Sequence, residues 1–266
     1  MITSVSNQQV KNVIKLQKSA SQRRKQKLFI VEGVRLFQEI PKELLVQVFV
    51  TEECLAKHSK LLEEVSYELV SPGVYRDMSD TLSPQGILAV VRQLSHSLRK
   101  VVTGAELGEE TKQIPALLLL EGLQDPGNLG TIVRMAEGAG ITGMVLSRDT
   151  VDIYNSKVIR STMGSVFRVP FIYVEDIKDA VRFIKEQGIT TFAAHLSGTD
   201  FYQSDFTKGS CIFIGNEGNG LTPELTALAQ ERIRIPMEGR VESLNAATAA
   251  TVLSYEMLRQ RRGKNS

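Results

Sequence analysis

Apolar positions recur along this chain in two rhythms, and their alternation predicts its architecture. Short apolar runs rich in β-branched residues at Leu28–Val31, Val46–Thr51, Tyr67–Val70 and Ile87–Val91 have the pattern of strands. Helical spacing occupies Gly33 to about Ile40 and the stretch near Leu55–Glu64. This alternation predicts a small α/β domain over residues 1–95. Residues 96–113 are polar, carry Gly104 and Gly108 and end just before Pro115, the composition of a linker.

From residue 114 to 266 the alternation is stronger. Ala116–Leu120 is an apolar run that suits a strand buried on both faces. Asp125–Asn128 has turn composition, with Asn128 placed to cap a helix whose apolar face is Leu129, Ile132, Val133 and Ala136. Further strands are expected at Met144–Leu146, Phe167–Val174, Thr191–Leu196, Cys211–Ile214 and Arg232–Ile235. Helices are expected near Asn155–Met163, Asp176–Gln187 and Pro223–Ala229, and a last one from about Ser243 to Gln260. Such a pattern predicts a mostly parallel sheet with helices on both faces.

Composition narrows the class. The chain has 266 residues, 42% hydrophobic and 23% charged, enough for two domains with a core in each. Cys54 and Cys211 cannot form a disulfide framework, and three dispersed histidines show no zinc-ligand spacing. Met1–Asn7 lacks the apolar core of a signal peptide and no apolar run reaches membrane-spanning length, so a reducing, cytoplasmic setting is expected, with no metal.

A net charge of +2 does not by itself announce a nucleic-acid binder, but its distribution is uneven. Before Glu32 there is no acidic residue, while Lys11, Lys15, Lys18, Arg23, Arg24, Lys25 and Lys27 are basic. The first three share one helix face. A solvated surface is the ordinary reading of a basic run; the missing counter-charges favour a phosphate-binding one.

Ligands of open α/β sheets sit beyond the C-terminal ends of strands. Three such ends are loaded with small or amide-bearing residues: Ser197-Gly198, Gly215-Asn-Glu-Gly-Asn-Gly220 and Pro236-Met-Glu-Gly239. Glycine there allows close backbone approach or positive φ. The order G-x-x-G-x-G is not a dinucleotide fingerprint, and neither domain has one after its first strand, which disfavours a nicotinamide-dependent dehydrogenase. Taken singly, Asn128 suits a helix cap and substrate positioning equally, Glu217 a turn residue or one that orients substrate, Ser243 the cap of the last helix and Arg134 a solvated cation.

Taken together, Asn128–Arg134, Ile214–Leu221 and Ile235–Asn245 closely resemble, in order and spacing, the three motifs of the SpoU/TrmH family. These are S-adenosylmethionine-dependent RNA 2′-O-ribose methyltransferases of the knotted SPOUT superfamily. The likeness spans roughly Leu117 to Arg262 and implies a deep trefoil knot, which periodicity cannot reveal. It implies a catalytic set of Arg134, Asn128, Glu217, Ser243 and Asn245. It also implies a cofactor pocket at Leu196, Ser197, Gly215, Ile235, Met237 and Leu244. Arg134 becomes the key candidate, because a guanidinium stabilises a developing alkoxide and holds a phosphate bidentately. Homodimers through the knot helices are implied too, with Ala246, Ala247, Ala249, Ala250, Leu253, Met257 and Leu258 on the last helix as the surface. Arg24–Arg35 resembles the family's substrate-binding extension, a fold related to a kink-turn-binding ribosomal protein, and adds Arg35 to the RNA-binding set. Members with that extension mostly modify ribosomal RNA, so large-subunit rRNA is preferred over tRNA. The alternatives are a tRNA methyltransferase, a non-catalytic RNA-binding or ribosome-assembly factor, and a knotted enzyme that methylates a base nitrogen. The last would use an aspartate base, and no Asp lies within the second or third motif.

Overall fold

The computed structural model describes residues 1–106, 108, 109 and 111–263; Leu107 and Glu110 in the expected linker, and the terminal residues 264–266, lie outside the described residues. In chain order the elements are α1 (Gln8–Lys18), α2 (Ala20–Gln26), β1 (Leu28–Glu32), α3 (Val34–Phe37), β2 (Leu45–Val50), α4 (Glu52–Lys57), β3 (Glu68–Leu69), α5 (Pro72–Met78), β4 (Ile87–Arg92) and α6 (Leu98–Thr103). They continue as β5 (Ala116–Leu120), α7 (Pro126–Gly138), β6 (Gly143–Ser147), α8 (Ser156–Thr162), β7 (Phe171–Val174), α9 (Ile177–Glu186), β8 (Thr190–Asp200), β9 (Ser210–Ile214), α10 (Pro223–Leu228), β10 (Glu231–Arg234) and α11 (Ala246–Gly263).

Two compact units form, and their boundaries differ from the expected ones. The first is Met1–Leu94 together with Asp152–Phe167; the second is Ser95–Val151 together with Arg168–Ser266. Residues 152–167, assigned from sequence to the second domain, thus belong to the first. Three contacts within that unit explain why. The Phe29 and Tyr154 rings lie 4.6 Å apart, the Tyr154 hydroxyl accepts from Leu94 N at 2.8 Å, and Arg23 pairs with Asp152 at 2.7 Å.

The first unit is built on a four-stranded sheet of order β1-β4-β2-β3, antiparallel except for the β2–β3 pair. Its core joins Val10, Val13 and Leu16 of α1 to Ile30, Phe49, Val70, Val74, Tyr75, Met78, Leu88 and Val90. Because α1 buries that apolar stripe, Lys11, Lys15 and Lys18 are left exposed. Two helices are shorter than expected. The first, α3, ends at Phe37, ahead of Ile40-Pro41, since proline disfavours helical backbone before it. Thr51 starts α4 early by accepting from Cys54 N, and a 3-10 turn at Ser59–Leu62 replaces its expected second half.

One expected RNA contact is overturned here. Arg23 is 3% exposed. Its Nε donates to Asp152 Oδ2 at 2.8 Å and its Nη1 to the carbonyls of Leu16 and Gln17 at 2.7 and 3.0 Å. A guanidinium committed to those acceptors does not face a phosphate. Arg24, Lys25, Lys27 and Arg35 are exposed.

The second unit carries a six-stranded parallel sheet of order β10-β8-β9-β5-β6-β7, the mostly parallel sheet that the sequence predicts. On one face Leu117, Leu119, Val145, Ala193, Cys211 and Phe213 pack with Val101, Val102, Ala180, Val181, Ile184 and Leu225. Strand alternation sends Leu118, Leu120, Ile212 and Ile214 to the other face; α11 packs on β9 and α7 on α11. The stretch expected as linker contributes to this core, because α6 buries Val101 and Val102 within it. Pro170 and a 3-10 turn at Ser165–Phe167 delay the strand expected from Phe167 until Phe171. In α11, Ala246, Ala247, Ala250, Leu253 and Met257 are buried within the protomer, so most of the surface expected to serve a second copy is already covered. Arg261 is held as well: its guanidinium donates to the carbonyls of Phe206, Ile114, Pro115 and Lys208, and burial lowers its pKa.

Candidate active site

The site begins with a helix start that differs from expectation. Asp125, not Asn128, is the N-cap of α7, and its Oδ1 accepts from Asn128 N at 2.8 Å, with Pro126 at the first helical position. That shift of three residues frees the Asn128 side chain. Its Nδ2 donates to Glu217 Oε1 at 2.9 Å, and its Oδ1 accepts from Asn245 Nδ2 at 2.9 Å. Residues 89 and 117 positions away therefore meet at one amide.

Asn245 is in turn the cap of α11. Its Oδ1 accepts from Ala247 N and Thr248 N at 2.9 and 3.3 Å, and its carbonyl accepts from Ala249 N. Ser243, expected in that role, is exposed and makes no hydrogen bond among the described residues. The helix begins three residues later than periodicity suggested. By donor count, Asn128 and Asn245 each retain one amide N–H for a ligand.

Glu217 closes the arrangement against the start of α7. Besides Asn128 it accepts from Gln124 N and Asp125 N, both at 3.2 Å. Partial burial pushes its pKa up, but the hydrogen bonds from Asn128 and from backbone N–H groups outweigh this and hold it below the ordinary 4.5. A depressed folded pKa gives stability that is fully present above the unfolded value and lost as pH falls through the folded one. Comparing Tm of the native protein and Glu217→Gln across pH checks this. The gap between them is expected to hold constant from neutral pH down to the ordinary carboxylate range and to shrink below it. A gap independent of pH into strong acid would show that the charge of Glu217 contributes nothing.

The loop bearing Glu217 is shaped by a residue that sequence reasoning passed over. Asn216 Nδ2 donates to Gly122 O at 2.7 Å, while its Oδ1 accepts from Gly218 N and Asn219 N. The signal was present, since asparagine in a glycine-rich stretch favours such local side-chain turns. A Cβ on Gly215 would lie 2.2 Å from the backbone of Gly220 and Leu221, so only glycine closes this loop.

The expected cofactor residues lie within or after three neighbouring parallel strands. Pairing of β8 with β10 runs Arg232↔Ala193 and then Ile233↔Thr199, so residues 194–198 of β8 leave the ladder. Leu196 and Ser197 are exposed on that excursion, and His195 Nδ1 accepts from Ser197 N at 3.1 Å. Gly198 lets it rejoin, for a Cβ there would meet the Ile233 backbone at 2.5 Å. Gly215 follows β9 and is buried; Ile235 follows β10 and is half-buried, as are Met237 and Leu244. Among the described residues no hydrogen bond engages the backbone of Met237 or Leu244. Half-buried apolar side chains beside free backbone N–H and C=O groups are the donor set that an adenosyl group needs, so these residues fit S-adenosylmethionine.

Arg134 stands apart from the relay. It lies on α7 six residues beyond Asn128, about 9 Å along the axis and on a different face. Its side chain is exposed, with no acceptor engaged among the described residues. Gly122, Gln124, Asp149, Asn216 and Gly220 line a cleft of about 730 Å³, and none of the expected cofactor residues lines it. Among the described residues no cluster of three His, Cys, Asp or Glu is placed to hold a metal ion, and no helix is long and apolar enough to cross a membrane.

The chain is similar to known proteins over both units. Residues 7–89 match the MRM3-like substrate binding domain. The chain is 30% identical to the 23S rRNA (guanosine(2553)-2′-O)-methyltransferase RlmP of Bacillus subtilis, over 96% of this chain and 98% of that one. The AdoMet-bound rRNA methyltransferase from Sinorhizobium meliloti superposes with a TM-score of 0.83 at 28% identity, covering 97% of each chain. The SpoU methyltransferase AviRb from Streptomyces viridochromogenes, in complex with the cofactor AdoMet, gives 0.85 at 26%, over 96% of this chain and 98% of that one. Residues 115–255, more than half of the chain, match the profile of the SpoU rRNA Methylase family, and the protein belongs to that family.

Proposed function

We propose that this protein transfers a methyl group from S-adenosylmethionine to a ribose 2′-hydroxyl of large-subunit ribosomal RNA. The observation that carries this reading is the Asn245–Asn128–Glu217 relay, assembled from residues distant in sequence. S-adenosylmethionine supplies an electrophilic methyl when bound. The chain supplies the rest. Glu217 fixes the Asn128 amide, and the remaining N–H groups of Asn128 and Asn245 hold the ribose oxygens. Arg134 is the cation that stabilises the 2′-oxygen as it loses its proton and grips the neighbouring phosphate. Ser243 lies two residues ahead of Asn245, with its hydroxyl free for substrate. Leu196, Ser197, Gly215, Ile235, Met237 and Leu244 bind the cofactor.

Lys11, Lys15, Lys18, Arg24, Lys25, Lys27 and Arg35 form the RNA-binding set of the first unit, Arg23 having been removed from it. A homodimer is part of the reading: Arg134 engages no acceptor among the described residues, and Tyr255 of α11 remains 48% exposed. So is the family's knot, supported by the insertion of β9 between β5 and β8. A cytoplasmic setting follows from the substrate proposed.

Mapping 2′-O-methylation in rRNA and tRNA from cells with and without the gene tests the function. One large-subunit rRNA site is expected to vanish and to return when purified protein and S-adenosylmethionine are added. Loss of a tRNA methyl group instead would replace the substrate. A thermal-shift response to nicotinamide dinucleotides and none to S-adenosylmethionine would end the reading.

A further inference from the structure

The cleft of about 730 Å³ in the second unit opens at the C-terminal ends of β5, β6 and β7. Gly122 follows β5, Asp149 follows β6 and Glu175 follows β7, and all three line it. The cleft shares a wall with the relay. Gln124, which lines it, donates its backbone N–H to Glu217 Oε2 at 3.2 Å, and Asn216, also in the lining, directly precedes Glu217. The relay itself joins the loop after β9 to the helix after β5, and those two strands are neighbours. Of the cofactor residues, Gly215 follows β9 and Ile235 follows β10. Strands lie about 4.8 Å apart in a sheet. A nucleotide whose ribose is held at the relay therefore has the methyl donor on one side and this cleft on the other.

The fold leaves oriented acceptors unused here. Ser147 Oγ donates to Asp149 Oδ1 and fixes the carboxylate, while Asp149 Oδ2 has no partner among the described residues. Gln124 Nε2 donates to Gly122 O and Asp149 O at 3.1 and 2.8 Å, which commits both amide protons and leaves Oε1 free among the described residues. Gly122, at φ +62°, keeps Asp149 Oδ2 uncovered, since a Cβ there would lie 3.1 Å from it. Asn219 lines the same cleft, and its side-chain amide makes no hydrogen bond among the described residues. Half-buried Val174 and Ile177 supply an apolar wall.

These groups suit one kind of ligand. A phosphate is disfavoured, because Arg148, the one cation among the described residues that line the cleft, is paired with Glu175, while Glu121, Asp149 and Asp176 add negative charge. A metal ion is disfavoured as well, for no three His, Cys, Asp or Glu among the described residues are placed to hold one. Two acceptors beside a free amide match a planar ring with two adjacent N–H donors and a carbonyl next to them. Guanine has that edge, in N1–H, the 2-amino group and O6. Adenine and cytosine each put a ring-nitrogen acceptor beside a single amine, and uracil holds its one N–H between two carbonyls. Unpaired RNA bases are read on this edge.

We propose that this cleft reads the base of the nucleotide being methylated and selects guanine. The N1–H and 2-amino groups donate to Asp149 Oδ2 and Gln124 Oε1, O6 accepts from Asn219 Nδ2, and the ring lies against Val174 and Ile177. The inference rests on the reading that the protein methylates an RNA ribose, and deepens it by naming the base and the residues that choose it.

The test uses the full-length protein and RNA fragments carrying the mapped methylation site, made with guanosine, inosine or adenosine at the target position. Inosine lacks the 2-amino group and is expected to lower kcat/KM about tenfold, the loss of one well-formed hydrogen bond. Adenosine also replaces N1–H with an acceptor and is expected to lower it about a hundredfold. Asp149→Asn keeps an acceptor for Ser147 and places an N–H where the free oxygen was. It is expected to lower kcat/KM on guanosine RNA about tenfold without lowering it on adenosine RNA, with S-adenosylmethionine affinity unchanged. A merely structural role for Asp149 would lower all three RNAs alike and would overturn the assignment. If Asp149→Asn lowers Tm, the base series on the native protein decides. A mapped target other than guanosine, or equal rates on the three bases, would overturn the base cleft and leave the methyl-transfer reading standing. Failure of the native protein to methylate any RNA ribose would overturn both.

Discussion

Arg134→Ala is expected to lower methyl transfer by about two to four orders of magnitude, equivalent to about 3–5 kcal/mol of transition-state stabilisation. A ribose hydroxyl is a very weak acid, so the barrier contains the cost of charge developing on its oxygen. A guanidinium aimed at that oxygen is worth most in the transition state and little in the ground state. Nothing structural accompanies the loss, because Arg134 is exposed, engages no acceptor among the described residues and stands on a helix that tolerates alanine well. Tm and S-adenosylmethionine affinity are therefore expected to stay near native values while the single-turnover rate collapses. Arg134→Lys keeps the charge without the planar fork and is expected to recover only part of the rate. Near-native turnover in Arg134→Ala would reduce the residue to an ordinary surface cation.

The second large effect concerns stability. Arg23→Ala is expected to destabilise the first unit by about 3–5 kcal/mol, the usual cost of removing one partner of a buried pair. Asp152 is left with 14% side-chain exposure and no counter-charge, and the carbonyls of Leu16 and Gln17 lose their donor. Denaturant unfolding measures this directly. Replacing Lys11, Lys15 and Lys18 together with alanine has the opposite profile. Their side chains leave the apolar stripe of α1 untouched, so stability should hold, while the RNA salt slope flattens by about two units at roughly 0.7 per phosphate contact. An Arg23→Ala protein with native stability and a flattened slope would return Arg23 to the RNA-binding surface, where the sequence alone had put it.

These outcomes separate what each level of information carries. Periodicity located most strands and helices because burial on one face of an element is written in the order of its own residues, as in Val10, Val13 and Leu16 or in Ala116–Leu120. Helix starts were less legible. Asp125 and Asn128 are both good caps, as are Ser243 and Asn245, and composition does not choose between two candidates three or two residues apart. The structure chose Asp125 and Asn245, and that choice is what aims Asn128 and Asn245 at each other. Arg134 was legible only through resemblance, since an exposed arginine has no local signature.

The sequence by itself determined the α/β alternation and the glycine-rich loop at Gly215–Gly220, both set by neighbours within a few residues, and the family motifs, which are a likeness of residue order and spacing. Tertiary structure alone decided the rest. It sent residues 152–167 into the first unit, buried Arg23 against Asp152, drew α6 into the core of the second unit and lifted residues 194–198 out of the β8 ladder. Each of these depends on a partner many residues away along the chain. A charge or an apolar side chain carries no mark of that partner until the backbone has brought the two together, so neither spacing nor composition contains it.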